Sequence, residues 1–108
     1  MHGLTIIGTS TMRNLTATLL ICAAALEPAG AQSAGEHIAL GDRAYVELDA
    51  PSALSHFEKA IAADPRSYEA NWKASRSAVD IGSYTSDAVR RASLYMSGEQ
   101  YARRAIAL

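Results

Sequence analysis

The sequence predicts an all-α fold of antiparallel helix-turn-helix hairpins. Three observations carry that prediction: apolar and small residues recur every three or four positions from Glu36 onward, no stretch alternates apolar and polar for long enough to make a strand, and Pro or Gly-Ser clusters cut the chain into four helical lengths.

The first element is a targeting segment. From Met12 to Gln32 the run MRNLTATLLICAAALEPAGAQ has a charged start at Arg13, an apolar stretch and a helix-breaking Pro28, the order of a secretory signal. Ala29 and Ala31 are small where a signal peptidase requires it, so 1–31 reads as signal with cleavage after Ala31 and Met12 as an alternative start. Leu15 to Leu26 is shorter than the roughly 20 residues a bilayer-spanning helix needs. An exported product, periplasmic or secreted, is therefore expected over one anchored by an uncleaved N-terminal segment. Ile21 precedes Cys22 where a lipidated cysteine would follow a small residue, and Cys22 is the sole cysteine, so the mature chain has no thiol chemistry.

Residues 32–35 are small and polar and read as a short leader to a folded domain at 36–108. A first helix, about Glu36 to Leu48, sets Leu40, Ala44 and Leu48 on one stripe beside Gly41. Asp49-Ala50-Pro51 breaks it, and proline suits the first turn of a second helix, about Pro51 to Ala63, because the amide it lacks would be unpaired there. That helix presents Ala53, Phe57, Ala60 and Ile61 on one face, with His56, Glu58 and Lys59 opposite. Asp64-Pro65 ends it. Ser67 caps a third helix, about Ser67 to Ile81, with Glu69 in its first turn and Ala70, Ala74 and Ala78 as its small stripe. Gly82 to Ser86 reads as a loop, and Ser86-Asp87 starts a last helix to Leu108 on which Leu94, Gly98, Tyr101, Ala105 and Leu108 share a face.

With the hairpins in place, HIALGDRAYVELDAPSALSHFEKAIAADP, from His37 to Pro65, resembles the tetratricopeptide repeat, a unit of about 34 residues. Leu40-Gly41 fits its Leu-Gly pair, Ala53 and Phe57 its Ala-x-x-x-Phe, Ala60 the next small slot and Pro65 the closing proline. Two slots depart: His37 stands where Trp is usual, and Ala44 where Tyr is usual, with Tyr45 one place later. Repeat 1 then spans about 34–67. A degenerate repeat 2, about 68–108, carries an insertion near 83–97 before Gly98, Ala102 and Ala105, with Ala102 in the Phe slot. ANWKASR and LYMSGEQYARRAIAL further resemble the tetratricopeptide group related to regulators of microtubule dynamics. The resemblance implies a short right-handed solenoid. It also implies a partner in the concave groove lined by the first helix of each hairpin, which falls here on Ile38, Asp42 and Tyr45, then Glu69, Trp72 and Arg76. The variety that clamps a peptide carboxylate uses Lys and Asn where this chain has Ile38 and Trp72, so that mode is not implied.

Charged residues make up 19% with a net charge of −1, which excludes an electrostatic nucleic-acid binder and a disordered chain. The charge is uneven: from Gln32 to Asp64 six acids face Arg43 and Lys59, whereas Pro65 to Leu108 is basic, with Arg90-Arg91 and Arg103-Arg104 on a solvated helix face. His37 and His56 stand nineteen positions apart on different helices, no close metal-ligand spacing exists, and Ser52, Ser55, His56 and Glu58 point in different directions around one helix. The expectation is thus an exported module with no catalytic, metal or cofactor site that binds a protein or peptide. The alternative is a scaffold or self-associating fragment of a longer exported solenoid.

Overall fold

The computed structural model describes residues 29–108, and all four of its elements are helices: α1 Ala29–Val46, α2 Ala50–Ala63, α3 Tyr68–Tyr84 and α4 Ala88–Ala107. The chain is all-α, as its periodicity predicts. The signal reading of residues 1–31 lies outside the described residues except for Ala29–Ala31, the expected cleavage site, which form the start of α1, and among the described residues no helix is long and apolar enough to cross a membrane.

Local chemistry fixes the ends. Asp49, Ser67 and Asp87 each accept a backbone N–H three residues on, at 3.1, 3.2 and 3.0 Å, capping α2, α3 and α4. At the end of α1 the Asp49 N–H reaches the Ala44 carbonyl and the Leu48 N–H the Tyr45 carbonyl, the paired bonds of a Schellman turn. That turn needs a left-handed residue, and Leu48 supplies it at φ 60°, with its side chain 93% exposed. Asn71, fully buried, secures the α2–α3 connection by donating from Nδ2 to the Ser67 carbonyl at 2.8 Å and the Pro65 carbonyl at 3.3 Å.

Consecutive helices pack on each other, α1 on α2, α2 on α3 and α3 on α4, and α1 also touches α3. The core is built mainly of alanine: Ala53, Ala60, Ala70, Ala74 and Ala78 are fully buried, and Phe57 is the one large apolar side chain among the described residues with no exposure. One cluster joins Ala44, Ala53, Phe57 and Ala74; a second joins Ala34, Ala60 and Ala70, and Ile38 and Ile61 touch both. Gly41 lets α1 settle on the Phe57 ring, since a Cβ there would lie 2.7 Å from the ring Cδ1. Gly82 meets the Tyr95 ring and Gly98 meets Val79 in the same way across the α3–α4 seam.

Five expectations need correction. Residues 32–35 are not a leader but part of α1, and Ala34 is buried against α2 because alanine at that spacing is both helix-forming and small enough to close on it. Leu48 lies beyond the helix, and Leu40 is 44% exposed, so the α1 stripe runs through Ala34, Gly41 and Ala44. Gly82 to Tyr84 continue α3, where Ile81 and Gly82 are buried and Gly82 meets the Tyr95 ring of α4. The insertion near 83–97 is therefore helix apart from the break at Thr85–Asp87. His56 is not opposite the packing face but turns to His37 on α1, with ring centroids 6.4 Å apart. Of the residues assigned to repeat packing, Gly41, Ala53, Phe57, Ala60, Gly98 and Ala105 are buried, Ala102 is half-buried, and Pro65 is exposed.

Tyr101 on α4 donates its hydroxyl to Glu58 Oε2 on α2 at 2.7 Å. Desolvation first, then the bond and charge of Glu58, raise the phenol from 10.0 to about 12. A raised folded value means the contribution is complete below pH 10 and is lost as pH climbs through about 12. Because the ring is only partly buried and water screens the pair, about 1 kcal/mol is expected. In urea melts stepped through that window, Tyr101→Phe should lose less stability than the parent; parallel losses would contradict the linkage.

Candidate functional site

The groove formed by α1 and α3 is positioned by the small residues beneath it. Ala44 and Ala74 are buried together with Phe57, and this close approach brings the outward faces of α1 and α3 into one surface. On it, Arg76 lies over the Tyr45 ring, its guanidinium carbon 3.5 Å from the centroid and 5.0 Å from the centroid of Trp72. This is stacking geometry for a planar cation held by two aromatic rings. Beside them Lys73 extends its amine to both carboxylate oxygens of Asp42 at 2.8 Å and to Glu69 Oε1 at 2.7 Å, and lies 5.6 Å from the Trp72 ring.

The two cations are served unequally. Lys73, with its side chain only 11% exposed, ties α3 to α1 through Asp42 and is also paired within α3 to Glu69. Desolvation is the largest single influence on its amine and favours the neutral form, yet the bonds and charges of Asp42 and Glu69 together outweigh it and raise the pKa above 10.5. Arg76 has no carboxylate within 4.0 Å among the described residues, and its Nε is buried without an acceptor. An oriented guanidinium with open donors is suited to an anionic or carbonyl group brought from outside.

Next to Arg76 a cleft of about 270 Å³ opens between Tyr45, Leu48, Ala50, Asp80 and Tyr84. Its volume is below the roughly 300–1,000 Å³ of small-molecule sites and suits a single side chain. A larger open depression of about 630 Å³ runs along α4 past Val89, Ala92, Met96 and Gln100, and no charged residue lines it.

Of the six residues the repeat resemblance assigned to a groove, the structure brings together Asp42, Tyr45, Glu69, Trp72 and Arg76. Ile38 instead packs against both core clusters. Lys73, Tyr84 and Asp80 were missed. Lys73 was visible in part, since Glu69 and Lys73 stand at i, i+4, but its bond to Asp42 crosses 31 positions and no local pattern signals it. Among the described residues no three His, Cys, Asp or Glu side chains gather as a metal site. No family model matches the chain, and no curated protein or solved structure matches it significantly.

Proposed function

We propose that this chain is an exported, non-catalytic tetratricopeptide-type interaction module that binds a peptide or helical segment in the α1–α3 groove. The observation that carries the reading is Arg76, stacked between Tyr45 and Trp72 with no acidic partner among the described residues. The matching segment offers an acidic side chain or free carbonyl to Arg76 and an apolar or aromatic side chain to the Tyr45–Tyr84 cleft. Export rests on the signal-like sequence from Met12 to Gln32, and the repeat assignment rests on the Leu40-Gly41, Ala53, Phe57, Ala60 and Pro65 spacing together with two successive helical pairs.

A displayed random-peptide library panned on the untagged protein tests this. Enriched segments should pair an acidic residue with an aromatic one, and Trp72→Ala, with its helical circular dichroism intact, should weaken them about thirtyfold, the effect of losing a central tryptophan anchor. Equal enrichment on Trp72→Ala and Arg76→Ala baits would end the groove reading.

A second reading, self-association into a scaffold, is favoured by one observation. Val89 and Met96 on α4 are 79% and 61% exposed, along an uncharged depression. Sedimentation of the same protein over a range of concentrations separates the two readings, since a monomer throughout leaves only the groove.

A further inference from the structure

Among the described residues α1 and α4 make no contact, since α1 packs on α2 and α3 alone and α4 on α3. Each therefore keeps an outward face. On α4 that face is the uncharged depression past Val89, Ala92, Ser93 and Met96. On α1 it is the exposed strip Gly35, Ala39 and Val46, while Ala34, Gly41 and Ala44 turn inward. A Cβ on Gly35 would meet nothing within 4 Å. Gly35, Ala39, Ala92 and Ser93 leave room for the close approach that alanine gives the internal seams.

Charge runs along one edge of each face. At about 100° per residue, Arg90 and Arg104 fall together beside Ser93 and Ser97 on the rim of the α4 depression. Both are exposed, and neither has a carboxylate within 4.0 Å among the described residues. Glu36 and Glu47 fall together along one edge of the α1 strip; both are exposed, and neither has a cation within 4.0 Å among the described residues. Glu47 is one residue past α1, but its N–H still bonds the Arg43 carbonyl and keeps it on the helical track. Arg43 shares that edge, which leaves two acids against one arginine.

Helical handedness decides how the edges can meet. Seen from its N-terminus a right-handed helix advances clockwise, and both charged edges lie on the advancing side of their apolar strips. Two helices packed face to face bring their advancing edges together only when antiparallel. Arg90 then comes opposite Glu47, and Arg104 opposite Glu36. At about 1.5 Å per residue the arginines stand about 21 Å apart and the glutamates about 16 Å, a difference that flexible side chains at both ends span.

We propose, resting on the self-association reading, that the α4 face is occupied by α1 of a second copy, docked antiparallel with Arg90 on Glu47 and Arg104 on Glu36. The contact is head-to-tail, so it leaves a free face at each end for another copy. One helix against one helix falls at or below the roughly 1,200 Å² of a stable complex. Association is therefore weak, and its exposed charge pairs make it sensitive to salt. The Arg76 groove takes no part.

Sedimentation of the purified full chain, at low and high salt and up to about 1 mM, tests this. Mass should rise with concentration and fall with salt. Arg90→Glu with Arg104→Glu, and separately Glu36→Arg with Glu47→Arg, should each weaken association at least tenfold, the four positions being exposed and outside the core. Mixed in equal amounts, the two variants should recover it to within about threefold of the parent, because each supplies the edge the other has reversed. A parent that stays monomeric throughout sinks this contact and the self-association reading together. Parent-like association of both variants, as contacts through the apolar run Leu15 to Leu26 would give, overturns this contact and leaves that reading standing. Variants that lose association and stay apart when mixed overturn the head-to-tail pairing.

Discussion

Phe57→Ala is expected to remove about 3–5 kcal/mol of folding stability, the range for truncating a buried ring. The total for a domain of this kind is about 5–15 kcal/mol, so the variant should be largely or wholly unfolded near its old melting temperature. The reason is concentration of load. The other buried members of the cluster are alanines, too small to fill the space, and the Tyr45 and Tyr101 rings at its edge are held by Arg76 and Glu58. The loss is read as the fall in urea midpoint at constant slope. A fall worth less than 1 kcal/mol would mean that α1 and α2 collapse onto the vacancy, and that the alanine seam, not the ring, sets their spacing.

The converse substitution should do nearly as much damage. Gly41→Val places new atoms where even a Cβ would stand 2.7 Å from Cδ1 and 2.8 Å from Cζ of Phe57. With the ring enclosed on every side, α1 must move, at a cost of about 2–3 kcal/mol. A double-mutant cycle isolates the contact. Gly41→Ala combined with Phe57→Leu should be less harmful than the two single losses added, because the smaller side chain vacates part of the clashing volume. Additivity within about 0.5 kcal/mol would place the two residues out of contact.

The helices were legible because their signals are local. Ser67 and Asp87 cap where hydroxyl or carboxylate precedes the helical spacing, and Ala53, Phe57 and Ala60 recur at the helical period. What was not legible depended on neighbours. The run from Gln32 to Gly35 has the small and polar residues of a leader, and only burial of Ala34 against α2 shows it to be helix. Gly82 looked like a breaker until the Tyr95 ring across the seam gave its missing side chain a purpose. That Asp42, Tyr45, Glu69, Trp72 and Arg76 lie near one another follows from the spacing the repeat resemblance used, but their charge pairing does not. Nothing local says that Lys73 is spent on Asp42 while Arg76 is left open. The histidine pair escaped for the same reason, since register between α1 and α2 is a property of the folded hairpin.

The alanine interior has a thermal consequence. Leu40, Val46, Leu48, Val89, Met96 and Ile106 are exposed in the native state, while the fully buried positions are mostly methyl groups. Unfolding therefore uncovers less new apolar surface than it would from a leucine-filled interior, and heat capacity follows that surface. The increment should fall below the usual 12–15 cal/mol/K or so per residue, giving a stability curve that is low and flat. Such a protein neither gains much from cooling nor loses cohesion abruptly on warming.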